Sequence, residues 1–233
     1  MGLVKFVETD PALAKKIMGP DCVTIEEALS IFPCPREYLD EIGPVPYSPE
    51  TLYRCSEPEN EHILFPGFYR VGKHPLNIIN MRSFFPEHKS LFAPWDGIVM
   101  SVISGLKYNT CPPCWYLISK NTFAASELHK YCARQEMPYD KLNGESVAVY
   151  IFAWLLMKRL RGESVFQGNP FFCNDDVSFG YYKTSLQCDE NQIAIRPYIY
   201  KGPAVRHLCF APSAEPEIVS SENKSPHHNE DQH

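Results

Sequence analysis

The stretch Glu145-Ser-Val-Ala-Val-Tyr-Ile-Phe-Ala-Trp-Leu-Leu-Met-Lys-Arg-Leu-Arg-Gly162 organises everything else in this chain. Its middle, Val147 to Met157, is the longest uninterrupted apolar run, at 11 residues. Glu145 stands where the positive end of a helix dipole would lie, and Lys158, Arg159 and Arg161 stand where the negative end would lie. Gly162 supplies the left-handed stop. A membrane span needs roughly 20 apolar residues, so this run is too short to cross a bilayer. A helix that is apolar on every face and does not cross a membrane must be enclosed by protein. The segment therefore predicts a buried central helix over about 145–161, with the rest of the chain packed around it.

Downstream, the apolar period changes from helical to two. Val177, Phe179 and Tyr181 alternate with Ser178, Gly180 and Tyr182, and Ile193, Ile195 and Ile199 alternate with Ala194, Arg196 and Tyr200. Val205 to Phe210 makes a third run. The links, Cys188 to Gln192 and Lys201 to Ala204, have turn composition. Three neighbouring strands joined this briefly predict an antiparallel meander with its apolar face on the central helix.

Upstream, the 21 prolines of 233 residues punctuate a series of short elements. Thr9-Asp10-Pro11 offers a cap followed by proline at the first helical position, and Gly19-Pro20 ends that piece. Thr24-Ile-Glu-Glu27 is a capping box opening a helix to about Phe32. Pro35 to Ile42 and Ser48-Pro49 to Cys55 read as two more. His62 to Phe65 reads as a strand, Pro75 to Phe84 as a helix, Trp115 to Ile118 as a strand, and Ser126 to Gln135 as a helix. Residues 91–110 fit no pattern. The fold class expected is α+β: short N-terminal helices over about 9–56 and a buried central helix packed on a C-terminal antiparallel β-meander. One globular domain is expected over 1–210. Residues 211–233, nearly free of apolar side chains, read as a disordered acidic, His-containing tail.

The charge distribution narrows the partners. Five acids against one lysine give the tail −4 of the net −6, leaving the body at −2. A nearly neutral body has no bulk attraction for phosphate backbones or anionic lipid, which argues against nucleic acid and membrane partners. The first residues lack the apolar core of a secretory signal, and Phe6 stands where myristoylation requires Ser or Thr. A soluble, cytoplasmic protein is expected. Nine cysteines, an odd number without an export signal, read as free thiols in a reducing compartment.

Cys111-Pro-Pro-Cys114 is the one cluster whose spacing carries chemistry. As a redox pair it lacks the following helix whose amides would stabilise a thiolate, because Trp115-Tyr-Leu-Ile118 continues as a strand. With His129 and Cys132 it forms Cys-x2-Cys-x14-His-x2-Cys, four ligands of the right type for structural zinc. Two features speak against zinc: Pro113 has no amide to donate to the first sulfur, and bulky Trp115 follows the second cysteine. Asn174-Asp175-Asp176 offers carboxylates for a hard cation, but consecutive acids on an extended chain point opposite ways, so a turn cap is the simpler reading. Tyr181, Tyr182, Tyr198 and Tyr200 with Arg196 and Arg206 suit a stacking platform, although tyrosine is favoured in strands anyway. His227, His228 and His233 could take up metal weakly.

Nucleotide-binding glycine loops, His-Glu-x-x-His and Gly-x-Ser-x-Gly are all absent. The function expected is a non-catalytic soluble module binding another protein or a small molecule, without a cofactor. The alternatives are a hydrolase or transferase using a cysteine or histidine, and a zinc-stabilised binding domain. The sequence leaves open whether the chain is an enzyme.

Overall fold

In the computed structural model, residues 7–85, 91–93, 104, 106, 108–134, 144–176, 182–199 and 209–218 are described. Three short helices open the chain, and each is started by a side chain that bonds amides left free in the first turn. Asp10 accepts from the amides of Ala12 and Leu13 at 2.8 and 3.2 Å and opens α1 (Pro11–Met18). Thr24 and Glu27 complete their reciprocal capping box on α2 (Ile25–Ile31). Ser48 accepts from Thr51 at the start of α3 (Pro49–Ser56). The helix expected over 35–42 shrinks to a single 3₁₀ turn, Arg36–Tyr38. Bracketed by Pro33, Pro35 and Gly43-Pro44, it is too short to repay helix nucleation.

Strand β1 (His62–Pro66) leads into a two-residue hairpin, β2 (Arg70–Val71) and β3 (His74–Pro75). Helix α4 (Ile78–Phe84) starts later than expected, because His74 and Pro75 are taken by that hairpin and Asn77 caps the amide of Asn80. Strand β4 (Trp115–Ser119) pairs antiparallel with β1, from Pro66 opposite Trp115 to His62 opposite Ser119. Then come β5 (Phe123–Ala124), α5 (Ala125–Arg134) and α6 (Val147–Arg161). The chain continues through β6 (Phe171–Asp176), β7 (Tyr182–Cys188), β8 (Ile193–Ile199) and β9 (Cys209–Phe210).

Helix α6 is the central helix expected. Every residue from Val147 to Met157 is at most 1% exposed, so apolar side chains on all faces meet protein. On one flank Phe152 packs against Phe32, Phe65 and Phe68, at ring distances of 4.9, 6.0 and 5.9 Å. On the other, Tyr150 meets Phe166 and Phe171 edge-on at 5.4 and 5.0 Å. The helix thus lies between the β1–β4 ribbon with its N-terminal helices and a five-stranded sheet in the order β5-β9-β6-β7-β8. One row of that sheet, Cys209, Phe171, Leu186 and Ile195, runs across four strands and is wholly buried. Gly162 ends the helix in the left-handed region, with φ of 70°.

The α+β class and the β6-β7-β8 antiparallel meander hold, but the meander's composition differs from expectation. It begins at Phe171, and the run ending at Phe210 is not its third strand. Cys209–Phe210 instead inserts between β5 and β6, antiparallel to the first and parallel to the second. The turn at 188–192 closes the β7–β8 hairpin, with the Asp189 carboxylate accepting from the amides of Asn191 and Gln192 at 2.9 and 2.6 Å. The expected strand over Val177–Tyr181 and the turn at 201–204 lie outside the described residues.

Glu145 stands at the positive end of α6, one residue before the Ser146 cap, and its side chain bonds Ser213. Asp175 joins it there: its Oδ2 accepts from the Val147 amide at 2.6 Å while Oδ1 accepts from Asn109 at 2.6 Å. The 174–176 triplet forms the last three residues of β6, and residues 177–181, which follow it, lie outside the described residues. The register shifts between Phe172 and Asp176, and this irregularity turns Asp175 toward the helix.

Residues 211–217, expected as the start of a disordered tail, run beside β4 and are held to the body by hydrogen bonds. The Ser119 amide donates to Pro212, the Ala214 amide to Leu117, and the Glu217 amide to Pro46, at 3.0, 2.9 and 2.9 Å. Tyr47 and Tyr150 donate to the carbonyls of Ala214 and Ala211. A strap of this kind satisfies backbone groups at the edge of a two-stranded ribbon, and it adds Ala211 to the core with Ala214 packed against it. Residues 219–233, including His227, His228 and His233, lie outside the described residues.

Candidate functional site

The Cys111–Cys114 loop sits where β1 and β4 meet at their Pro66/Trp115 end. Two prolines hold it tight. The Cys114 amide donates to Pro112 at 3.0 Å, and the Gly67 amide donates to Cys114 at 2.8 Å. Strand β4 starts at the very next residue, so no helix begins at the pair. Cys111 is fully buried and Cys114 is exposed. The Tyr116 hydroxyl donates to Pro112 at 3.2 Å and stands within hydrogen-bonding reach of both thiols. Desolvation pushes both thiols up, Cys111 well above its ordinary range, and Tyr116 rises with them.

Gly67 makes this approach possible. A Cβ there would lie 2.2 Å from the Pro112 oxygen, 2.6 Å from Tyr116 Cε2 and 2.8 Å from Cys111 Sγ. Two of those neighbours are a backbone carbonyl and a packed ring, which have little room to yield. Gly67→Ala is expected to lower stability by about 3 kcal/mol through overpacking. A urea melt checks this, and an unchanged midpoint would show that the loop can step aside freely.

Glu145, half-buried, is an acid whose charge reaches this loop. Desolvation raises its carboxyl above the ordinary range and the Ser213 hydrogen bond opposes the rise. Its charge is felt at Tyr47, Cys111, Cys114 and Tyr116. The loop, the start of α6 and the strap therefore converge on one small region holding two thiols, a phenol and a carboxyl of raised pKa.

The other two residues of the zinc pattern are on α5. Cys132 is buried, and the side chain of His129 lies outside the described residues. Tyr131, beside Cys132, bonds His62, which is at the Ser119 end of the ribbon. Cys111 and Cys114 are at the opposite end, about 13 Å away along a five-residue strand. Among the described residues no three His, Cys, Asp or Glu side chains gather into a group able to hold a metal. Asp175 spends both carboxylate oxygens on N–H donors. The side chains of Tyr181, Tyr182, Tyr198, Tyr200, Arg196 and Arg206 lie outside the described residues.

His62 gave no signal in the sequence beyond lying on a strand. It is fully buried; Nδ1 bonds the Asn60 carbonyl, and Nε2 lies 2.8 Å from the Tyr131 hydroxyl. A carbonyl only accepts, so Nδ1 carries the proton and Nε2 accepts from tyrosine. Desolvation lowers its pKa from 6.5 to about 4. The neutral ring is the native form, whereas an unfolded chain takes up a proton below about 6.5. Stability from this group is complete above that pH and declines as pH falls toward about 4, by about 3 kcal/mol in all. Urea midpoints across this range should fall more steeply for the wild type than for His62→Gln; parallel curves would refute the assignment.

Lys120 is a second buried polar centre. Burial alone would lower its pKa, but Asp21 at 2.6 Å and Glu163 at 2.9 Å more than reverse this, and the ammonium stays charged. It ties β4 to the chain on either side of the core. Arg161 does the same at the end of α6 by pairing with Glu27 at 2.5 Å. No helix among the described residues is long and apolar enough to cross a membrane.

Spacing alone had singled out Cys111 and Cys114. Gly67, Glu145, Ser213 and His62 come to these sites from distant parts of the chain, whereas Tyr116 follows Cys114 by two residues. Compared with protein-family models, curated proteins and solved structures, the chain matches none.

Proposed function

We propose that this chain is a non-catalytic binding module for another protein or a small molecule. The carrying observation is the state of its nucleophiles and bases. Desolvation raises all nine thiols: Cys22 to about 11, Cys55 to about 12, and the others above their ordinary range. A catalytic cysteine needs the opposite, an environment that favours the thiolate. His62 has both ring nitrogens committed and is held neutral, so it is not free to act as a base for Cys55 or any other thiol. These features support a surface that binds rather than a site that reacts.

Alkylation with iodoacetamide across pH 6–9 tests the reading. No cysteine of the folded chain is expected to label faster than a free thiol of ordinary pKa, about 8.5. One cysteine labelling rapidly near pH 6 would overturn the proposal in favour of a thiol hydrolase or transferase. Elemental analysis of protein purified without a metal-affinity tag tests the zinc-stabilised alternative: an equivalent of zinc would establish it, and less than about a tenth would end it.

A further inference from the structure

We propose that Cys111 and Cys114 form a reversible dithiol–disulfide switch, closed by low-molecular-weight disulfides of the glutathione type. Four observations on the loop carry this. Cys114 is exposed and Cys111 is fully buried, an arrangement of one accessible sulfur backed by a protected one. Only two residues separate the cysteines, and Tyr116, which meets Cys111 beside Gly67, donates its hydroxyl to the Pro112 carbonyl between them at 3.2 Å. The two prolines and the Cys114-to-Pro112 hydrogen bond hold the chain bent between them. Gly67 lets the backbone pass close to the Cys111 sulfur, which a Cβ at that position would meet at 2.8 Å. The remaining cysteines are buried or partly buried, so exposure directs the reagent to Cys114 first.

The chemistry is ordinary thiol–disulfide exchange. The Cys114 sulfur attacks one sulfur of the reagent and breaks its S–S bond; the displaced thiol leaves with the proton of Cys114. The Cys111 sulfur then attacks Cys114 in the mixed disulfide and expels the second thiol, which takes the proton of Cys111. Two protein thiols are oxidised and one small disulfide is reduced to two thiols. The switch is stoichiometric, needs no turnover, and stands independently of the binding function proposed above.

The test uses the full chain, reduced, then held in graded mixtures of glutathione and glutathione disulfide, quenched with acid and digested. The peptide Tyr108–Lys120 contains both cysteines. In the wild type it should become lighter by two hydrogens, recover on treatment with dithiothreitol, and change before any other cysteine does. Cys111→Ser should accumulate a glutathione adduct on Cys114 several-fold above wild type, and Cys114→Ser should take up none. Should Cys111→Ser fail to fold, the wild-type peptide mass still decides. A wild-type adduct that persists on Cys114 without closing, or a peptide that stays reduced while other cysteines oxidise, would overturn the switch.

Discussion

Ile151→Asp should yield no folded protein. Ile151 lies at the middle of α6 with no exposed surface, and its neighbours along the helix are enclosed as completely. Removing the aliphatic side chain alone costs about 2–5 kcal/mol. The carboxylate must then either ionise without a cation or remain protonated far above its ordinary pKa, adding several kcal/mol. Together these match the whole stability of a typical domain, roughly 5–15 kcal/mol. Leu155→Asp, one turn further on and equally buried, should behave alike. Circular dichroism and urea titration check this; Ile151→Val, which only trims a methyl group, should retain a cooperative transition about 1 kcal/mol weaker. A cooperative native-like transition in Ile151→Asp would mean the helix is not enclosed as described.

Asp175→Ala should cost about 4 kcal/mol, because it removes a buried carboxylate and leaves the Val147 amide and the Asn109 side chain without their acceptor. It also removes a negative charge at the start of α6. Asp175→Asn separates these effects. Its carbonyl still accepts from Val147, but its amide group faces the donor of Asn109, so a smaller loss of about 2 kcal/mol is expected. Urea midpoints of the two variants should differ accordingly. Equal losses would show that neither charge nor acceptor number matters there, and that the position serves only packing.

The helices were legible where their signals are local. Asp10, Thr24 with Glu27, and Ser48 bond amides two or three residues away, so the sequence around each cap already contains both partners. Reading failed over 35–42 because apolar and polar residues there fit a helix while the flanking prolines leave too few residues to form one. The candidate site was half legible. Cys111-Pro-Pro-Cys114 announced itself, and the strand expected after it is β4. Its setting did not: Gly67 lies 44 residues before Cys111, and Glu145 and Ser213 arrive from the far sides of α6 and β9.

The apolar run at 147–157 was enough by itself to require a helix enclosed by protein, because eleven such residues have nowhere else to go in water. Which surfaces enclose it was settled only when the chain closed on itself. The insertion of Cys209–Phe210 between β5 and β6, the strap along β4 and the Asp175 bond to Val147 all join residues far apart in sequence. Such pairings depend on which backbone groups remain unsatisfied after local structure has formed, and that is a property of the assembled sheet and helix rather than of any short stretch of residues.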